Sequence, residues 1–133
     1  MLQNQWGESN AGQSIPAISK AVCYDDDAGR MLTKLYDEVI KQMSGAKICL
    51  TEKDLSGVNN ALQKAQRILF YLKSTLDFKY EISGNLDALY DFFIERTVQA
   101  NLKKDAAMLD EIIPMIEDLR DTFVQADRNA RSK

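Results

Sequence analysis

Four stretches of the chain repeat the spacing of apolar residues that is typical of amphipathic helices. Apolar side chains recur three or four positions apart, so each stretch would present one apolar stripe along a helix. The stripes consist of Met31, Leu32, Leu35, Tyr36, Val39, Ile40 and Met43; Leu55, Val58, Leu62, Ala65, Leu69, Leu72 and Leu76; Leu86, Leu89, Tyr90, Phe93, Thr97 and Ala100; and Leu109, Ile112, Ile116, Leu119, Phe123 and Ala126. The pattern therefore predicts four helices.

Residues between the stripes indicate where these helices begin and end. Gly45 follows the first stripe and is expected to end the first helix. Thr51 is expected to open the second helix, with Asp54 three positions on in a variant of the capping box. Asp105 precedes the fourth stripe and is the predicted N-cap of the fourth helix.

Pro114 departs from this scheme because it lies inside the fourth predicted helix. A proline there removes one backbone hydrogen bond and clashes with the preceding turn. We expect either a kink near Asp110 or a helix that restarts at about Ile113.

The fold predicted from these elements is an all-α, antiparallel, up-down four-helix bundle with a polar N-terminal arm. None of the helices is expected to be stable alone, and short connections make neighbouring helices antiparallel. The expected organisation is an arm over residues 1–27, the bundle over 28–128 and a tail over 129–133. The arm is polar, with possible docking points at Trp6, Ile15 and Ile18.

Some apolar residues lie off the four stripes. One interpretation is that they widen the core or are scattered surface residues, which are common. The other is that they line an apolar groove that accepts an amphipathic segment of another chain. The candidate partner-binding residues are Ile68, Tyr71, Ile94, Val98, Leu102, Ile113 and Val124.

Composition restricts the chemistry available to the chain. Histidine is absent, which removes histidine-based acid–base catalysis, Ser-His and Cys-His nucleophiles, phosphorelay and most zinc or di-iron sites. Arg96 could reach Asp91 only poorly, and the adjacent Arg120 and Asp121 are expected to point apart. No catalytic, metal or cofactor site is predicted, and the chain is not expected to be an enzyme.

Charge and targeting signals narrow the location and the partners. The formal net charge is -3, which gives no broad reason to bind nucleic acid. No apolar run approaches the ~18 residues that would span a bilayer, and the N-terminus lacks the features of a secretory signal. Two cysteines without a CxxC motif suggest reduced thiols. A cytoplasmic protein without membrane partners is expected.

Residues 81–123 carry a resemblance to a known family. They read EISGNLDALYDFFIERTVQANLKKDAAMLDEIIPMIEDLRDTF, which resembles the FliS family of flagellar secretion chaperones. The shared motifs are Asn85-Leu86, Leu89-Tyr90-Asp91, Arg96, Ala100-Asn101, Asp105, Leu109 and Leu119-Arg120-Asp121, with Lys64-Ala65-Gln66, Leu72, Leu76-Asp77 and Leu35-Tyr36-Asp37 upstream. The resemblance covers about residues 29 to 126.

The resemblance implies a non-enzymatic cytoplasmic chaperone that uses no cofactor. It would bind the C-terminal segment of flagellin in apolar grooves, prevent premature polymerisation and deliver the client to the flagellar export gate. A weak homodimer through the same apolar surface stays open. The alternative function is a divergent helical adaptor or regulatory protein that kept the bundle but has another client.

Overall fold

The computed structural model describes residues 26–131, which fold into four helices. They are α1 (Asp26–Thr51), α2 (Leu55–Ser74), α3 (Ile82–Lys103) and α4 (Ala106–Arg131). Each helix packs against the next, and α4 packs back against α1. The predicted four-helix bundle is confirmed. Apart from residues 26 and 27, which begin α1, the predicted arm with Trp6, Ile15 and Ile18 lies outside the described residues.

The core consists of the predicted stripes, and the stripes of α3 and α4 are buried throughout. Two residues of the other stripes are exposed. Leu55 is exposed because it is the first residue of α2, at the end of the bundle. Met31 is exposed because it is turned about 100° from the buried Leu32 that follows it. Leu35 and Ile40 pack only partly against the core.

The connection between α1 and α2 consists of Glu52 and a Lys-Asp pair, Lys53 and Asp54. Helix α1 continues through Gly45 to Thr51, so both the predicted end at Gly45 and the predicted start at Thr51 are wrong. Lys53 adopts a left-handed conformation with φ 60. The Lys53 and Asp54 amides donate to the carbonyls of Leu50 and Cys49, at 3.2 and 2.8 Å. This is a Schellman motif, which ends the helix without glycine.

Asp54 also opens the next helix. Its side-chain oxygen Oδ1 accepts a hydrogen bond from the Gly57 amide at 3.0 Å, so the residue closes α1 with its backbone and caps α2 with its carboxylate.

The connection between α3 and α4 repeats this arrangement. Lys104 is left-handed with φ 52, and the Asp105 amide donates to the Ala100 carbonyl at 3.1 Å. The Asp105 carboxylate accepts from the Ala107 amide at 2.9 Å, which confirms Asp105 as the predicted cap. Because neighbouring helices are antiparallel, both Lys-Asp connections lie at the same end of the bundle.

Helix α4 is continuous across Pro114, so the predicted restart at Ile113 is wrong. Pro114 and Asp110, whose carbonyl loses its helical donor, are both exposed. Water can therefore hydrogen-bond to that carbonyl, and the helix tolerates the proline.

Two tyrosine hydroxyls meet in the centre of the core. Tyr36 of α1 and Tyr90 of α3 are hydrogen-bonded to each other, and both residues are fully buried. The ring of Tyr36 also stacks on Phe123 of α4, with ring centroids 5.1 Å apart. Burial raises the pKa of both phenols well above the ordinary value. The pair satisfies two polar groups and connects two helices that are diagonal in the bundle.

We expect the substitution Tyr36→Phe to lower the free energy of unfolding by about 1–3 kcal/mol, because it leaves the Tyr90 hydroxyl buried without this partner. The double variant Tyr36→Phe/Tyr90→Phe should lose less than the sum of the two single variants. Urea denaturation followed by circular dichroism measures these changes. The exposed Tyr71→Phe is the control and should change stability by less than about 0.5 kcal/mol. Strict additivity would contradict the coupling.

The raised phenol pKa values predict a dependence of stability on alkaline pH. In the unfolded chain a tyrosine loses its proton near pH 10, whereas the folded protein keeps Tyr36 and Tyr90 protonated to higher pH. Their stabilising contribution is therefore complete below about pH 10 and is lost as pH rises further, by about 1.4 kcal/mol per pH unit for each group. The double phenylalanine variant should show a shallower decline between about pH 9 and pH 11 in the same denaturation assay, and equal slopes would contradict this assignment.

Two glycines should respond in different ways to substitution by alanine. Gly45 lies inside α1 with open space at its Cβ position, so Gly45→Ala should raise the free energy of unfolding by about 0.5–1 kcal/mol. At Gly57 a Cβ would collide with the Asp54 carboxylate and the Cys49 thiol. Displacing that carboxylate removes a cap worth about 1 kcal/mol, so Gly57→Ala should give no net gain. Equal gains in urea denaturation would show that the cap does not depend on this glycine.

Candidate functional site

Three of the off-stripe residues, Ile94, Val98 and Leu102, follow one another at four-residue intervals on α3 and form a second apolar stripe, which rotates out of the core along the helix. Each step of four residues advances about 40° around a helix. Ile94 is accordingly 9% exposed and part of the core, Val98 is partly buried, and Leu102 is 73% exposed. The expectation that Ile94 lies outside the core is wrong, because this stripe starts at the core edge. The surface part of the stripe consists of Val98 and Leu102.

Polar contacts across the α2/α3 seam fix the relative position of the two helices. At one end Lys73 Nζ lies 2.8 Å from Asp87 Oδ1 and 3.4 Å from Asp91 Oδ1. The hydrogen bond with Asp87 raises the pKa of Lys73. At the other end Asn101 Nδ2 donates to Asn59 Oδ1 at 2.9 Å. Between Asp91 and Asn101 the seam runs for about 15 Å, or nearly three helical turns.

Apolar side chains border this seam on both helices. Leu55 precedes Asn59 by four residues and Phe70 precedes Lys73 by three, so both lie on the side of α2 that faces α3. They are 56% and 50% exposed. A hollow of about 330 Å³ borders Phe70, and its other lining residues are Gln63, Gln66 and Arg67. We call the set Leu55, Phe70, Val98 and Leu102 the α2/α3 apolar surface.

Ile68 and Tyr71 lie on the other flank of α2. Tyr71 is turned about 160° from Lys73, which places it away from α3 and towards α1. It is 47% exposed, whereas Ile68 packs partly against the core. Helix α2 therefore carries exposed aromatic side chains on both flanks, Phe70 towards α3 and Tyr71 towards α1.

Ile113 and Val124 lie on a third seam, between α1 and α4. Val124 lines a cavity with residues of α1, and Ile113 follows Asp110, which pairs with Lys47 of α1, by three residues. Both are partly buried. The seven sequence-predicted residues thus lie on three seams, and Val98 and Leu102 lie on the same seam as Leu55 and Phe70.

Leu55 and Phe70 were not among the predicted site residues. The heptad spacing assigned Leu55 to the core, although its position at the very start of a helix was a signal of exposure. Phe70 lies just outside the core stripe of α2, where spacing alone does not distinguish a flank of the core from surface.

The charged residues considered for chemistry form ion pairs between helices. Arg96 of α3 pairs with Glu111 of α4 at 3.4 Å rather than with Asp91. Arg120 does not point away from Asp121 as expected, because its guanidinium contacts both Asp121 and Asp37 of α1, at 3.1 and 3.2 Å. These contacts tie helices together on the surface of the bundle.

The described part of the chain offers no metal cluster and no activated thiol. Within residues 26–131 no group of three or more histidine, cysteine, aspartate or glutamate side chains could hold a metal ion. Desolvation raises the pKa of the Cys49 thiol, which is opposite to what a nucleophile needs. None of the helices in this range combines the length and apolar character needed to cross a bilayer.

Large apolar side chains exposed along the seams of a helical bundle are typical of proteins that bind other chains. Comparison with known proteins identifies the family. Residues 16–130 match the family model of the flagellar protein FliS. The flagellar secretion chaperone FliS of Bacillus subtilis is 35% identical over 103 residues, which cover 77% of this chain and 77% of that protein.

A second relative gives the same result. The flagellar secretion chaperone FliS of Salmonella typhimurium is 31% identical over 104 residues, which cover 76% of this chain and 77% of that protein. The chain belongs to the FliS family of flagellar secretion chaperones, which is a family of chaperones and not of enzymes.

Proposed function

We propose that the protein is a cytoplasmic chaperone that binds the C-terminal segment of flagellin. It keeps the client from polymerising early and delivers it to the flagellar export gate. Membership of a family of flagellar secretion chaperones supports a flagellar client. The observation that carries the proposal is the α2/α3 apolar surface, where Leu102, Leu55 and Phe70 are all half exposed or more.

The shape of this surface suits an amphipathic helical segment. The seam between the polar contacts accommodates nearly three turns, and apolar side chains of a docked helix would meet Val98 and Leu102 from one side and Phe70 from the other. A segment ordered in this way hides the apolar face through which it would polymerise. It also stays separable from the bundle, because the docked chain is not part of the fold.

The area available indicates that one seam gives weak binding. Covering the exposed parts of Leu55, Phe70 and Leu102 contributes roughly 3–4 kcal/mol. Ordering a disordered client segment costs several kcal/mol, which offsets most of this gain. The proposal therefore extends the client from the α2/α3 apolar surface to Ile68 and Tyr71 on the other flank of α2. Ile94 contributes only its exposed edge, and Ile113 and Val124 lie outside this surface.

We expect Leu102→Asp to lower the affinity for a flagellin C-terminal peptide of about 40–50 residues at least tenfold, because it places a charge in the apolar contact. Leu102 is suitable because it is largely exposed, whereas a charge at the buried Ile94 would destabilise the bundle itself. Isothermal titration calorimetry measures the affinity, and a negative heat-capacity change reports apolar burial.

The matched control is Ile48→Asp, which makes the same kind of change at an apolar residue of similar exposure on α1. Affinity should stay within about twofold of the unchanged protein. Equal losses in the two variants would show that the α2/α3 apolar surface is not the binding site. Failure of the unchanged protein to bind its own flagellin would overturn the proposed function.

A further inference from the structure

We propose that the seam between α1 and α4 holds a second docking site, which binds an acidic segment of a partner protein. A cavity of about 260 Å³ lies between the first half of α1 and the last part of α4. Its lining residues are Arg30, Thr33, Lys34, Val124 and Arg128. Three cationic side chains thus surround one apolar side chain, and none of the lining residues that the structure describes is acidic.

Elsewhere in the described residues, several cations join two helices through carboxylates. Lys47 pairs with Asp110, Lys73 with Asp87 and Asp91, and Arg96 with Glu111. By contrast, Arg30, Lys34 and Arg128 form no ion pair with any side chain that the structure describes. Two described carboxylates of the same two helices, Asp37 and Asp121, are both held by Arg120.

The arrangement carries an electrostatic cost within the protein itself. Arg30 and Lys34 are four residues apart on one helix face, and like charges at this spacing destabilise a helix. Arg128 from α4 adds a third positive charge to the same cavity. The chain as a whole has a net charge of -3, so the positive cavity does not follow from overall composition. A bound anionic group would remove this repulsion.

The lining residues define the chemistry of the occupant. Guanidinium groups bind carboxylates in a forked geometry, and clusters of them recognise acidic peptide motifs. Val124 provides an apolar floor that suits a leucine or isoleucine between the carboxylates. The occupant we infer is therefore an acidic segment with an apolar side chain in its middle. The α1/α4 seam is opposite the α2/α3 seam in the bundle, so this partner and the proposed client can bind together.

The test uses an eight-residue acetylated probe peptide, Glu-Glu-Leu-Glu-Glu-Leu-Glu-Glu, titrated into the isotopically labelled full chain. We expect amide chemical-shift changes to cluster at residues 30–34 and 124–128. The double variant Arg30→Glu/Arg128→Glu should weaken binding at least tenfold, since it reverses two of the three cavity charges. Higher salt should weaken binding to the unchanged protein, as expected for exposed charge contacts.

The matched control is Lys41→Glu/Lys64→Glu, which makes the same change in net charge at two exposed lysines outside the cavity. It should weaken binding less than threefold. Equal weakening in the two double variants, or shifts spread over the whole surface, would overturn the site. Tighter binding of a twelve-nucleotide single-stranded DNA at the same residues would overturn the assignment to an acidic protein segment.

The same variants separate this inference from the proposed function. Arg30→Glu/Arg128→Glu should bind the flagellin C-terminal peptide within twofold of the unchanged protein, whereas Leu102→Asp should bind the acidic probe normally. Loss of flagellin binding in the cavity variant would show that the cavity belongs to the client site, and would overturn a separate docking site.

Discussion

A bundle of four helices can enclose only one stripe of each helix, and this limit determines what the molecule exposes. The stripes of α3 and α4 are buried along their whole length, together with most of the stripes of α1 and α2. Further apolar residues on the same helices have no room inside, so they emerge at the seams. On α3 the exposure of these residues increases gradually, because each four-residue interval turns the side chain further from the core, from the buried Ile94 to the exposed Leu102. The proposed client surface thus follows from two facts: the core holds one stripe of each helix, and the apolar residues of α3 extend beyond that stripe.

Periodicity explains how much of the fold was predictable. It identified nearly every buried residue, because burial on a bundle follows directly from angular position. It failed where a helix end or a tertiary contact decides. Helix α1 continues through Gly45 and ends at a motif in which Lys53 is left-handed. Arg120 turns towards Asp121 because Asp37 lies on the neighbouring helix. For the site, exposed positions such as Tyr71 and Leu102 were predictable. The distribution of the candidate site residues over three separate seams was not predictable, because that prediction requires knowing which helix lies on each flank of the others.

The two proposed surfaces differ in the physics they would use. The α2/α3 apolar surface offers buried area, which is suited to segments that fold as they bind. The cavity at Arg30 and Arg128 offers charge, which favours rapid association and depends on salt. Because the seams lie on opposite sides of the bundle, neither interaction excludes the other. A chaperone built in this way can hold a client on one side while a partner approaches from the other.

The connections that contain Lys53-Asp54 and Lys104-Asp105 divide the described chain into two helical hairpins, α1 with α2 and α3 with α4. Each hairpin contains contacts that are local in sequence, and the hairpins meet through α2 with α3 and through α1 with α4. Asp54 and Asp105 each donate a backbone hydrogen bond to the end of one helix and accept one with the side chain at the start of the next. The conformation of one residue therefore determines where two adjacent helices end and begin. The Tyr36 and Tyr90 hydroxyls belong to different hairpins, so their hydrogen bond exists only when both hairpins are in place and makes the stability of each depend on the other.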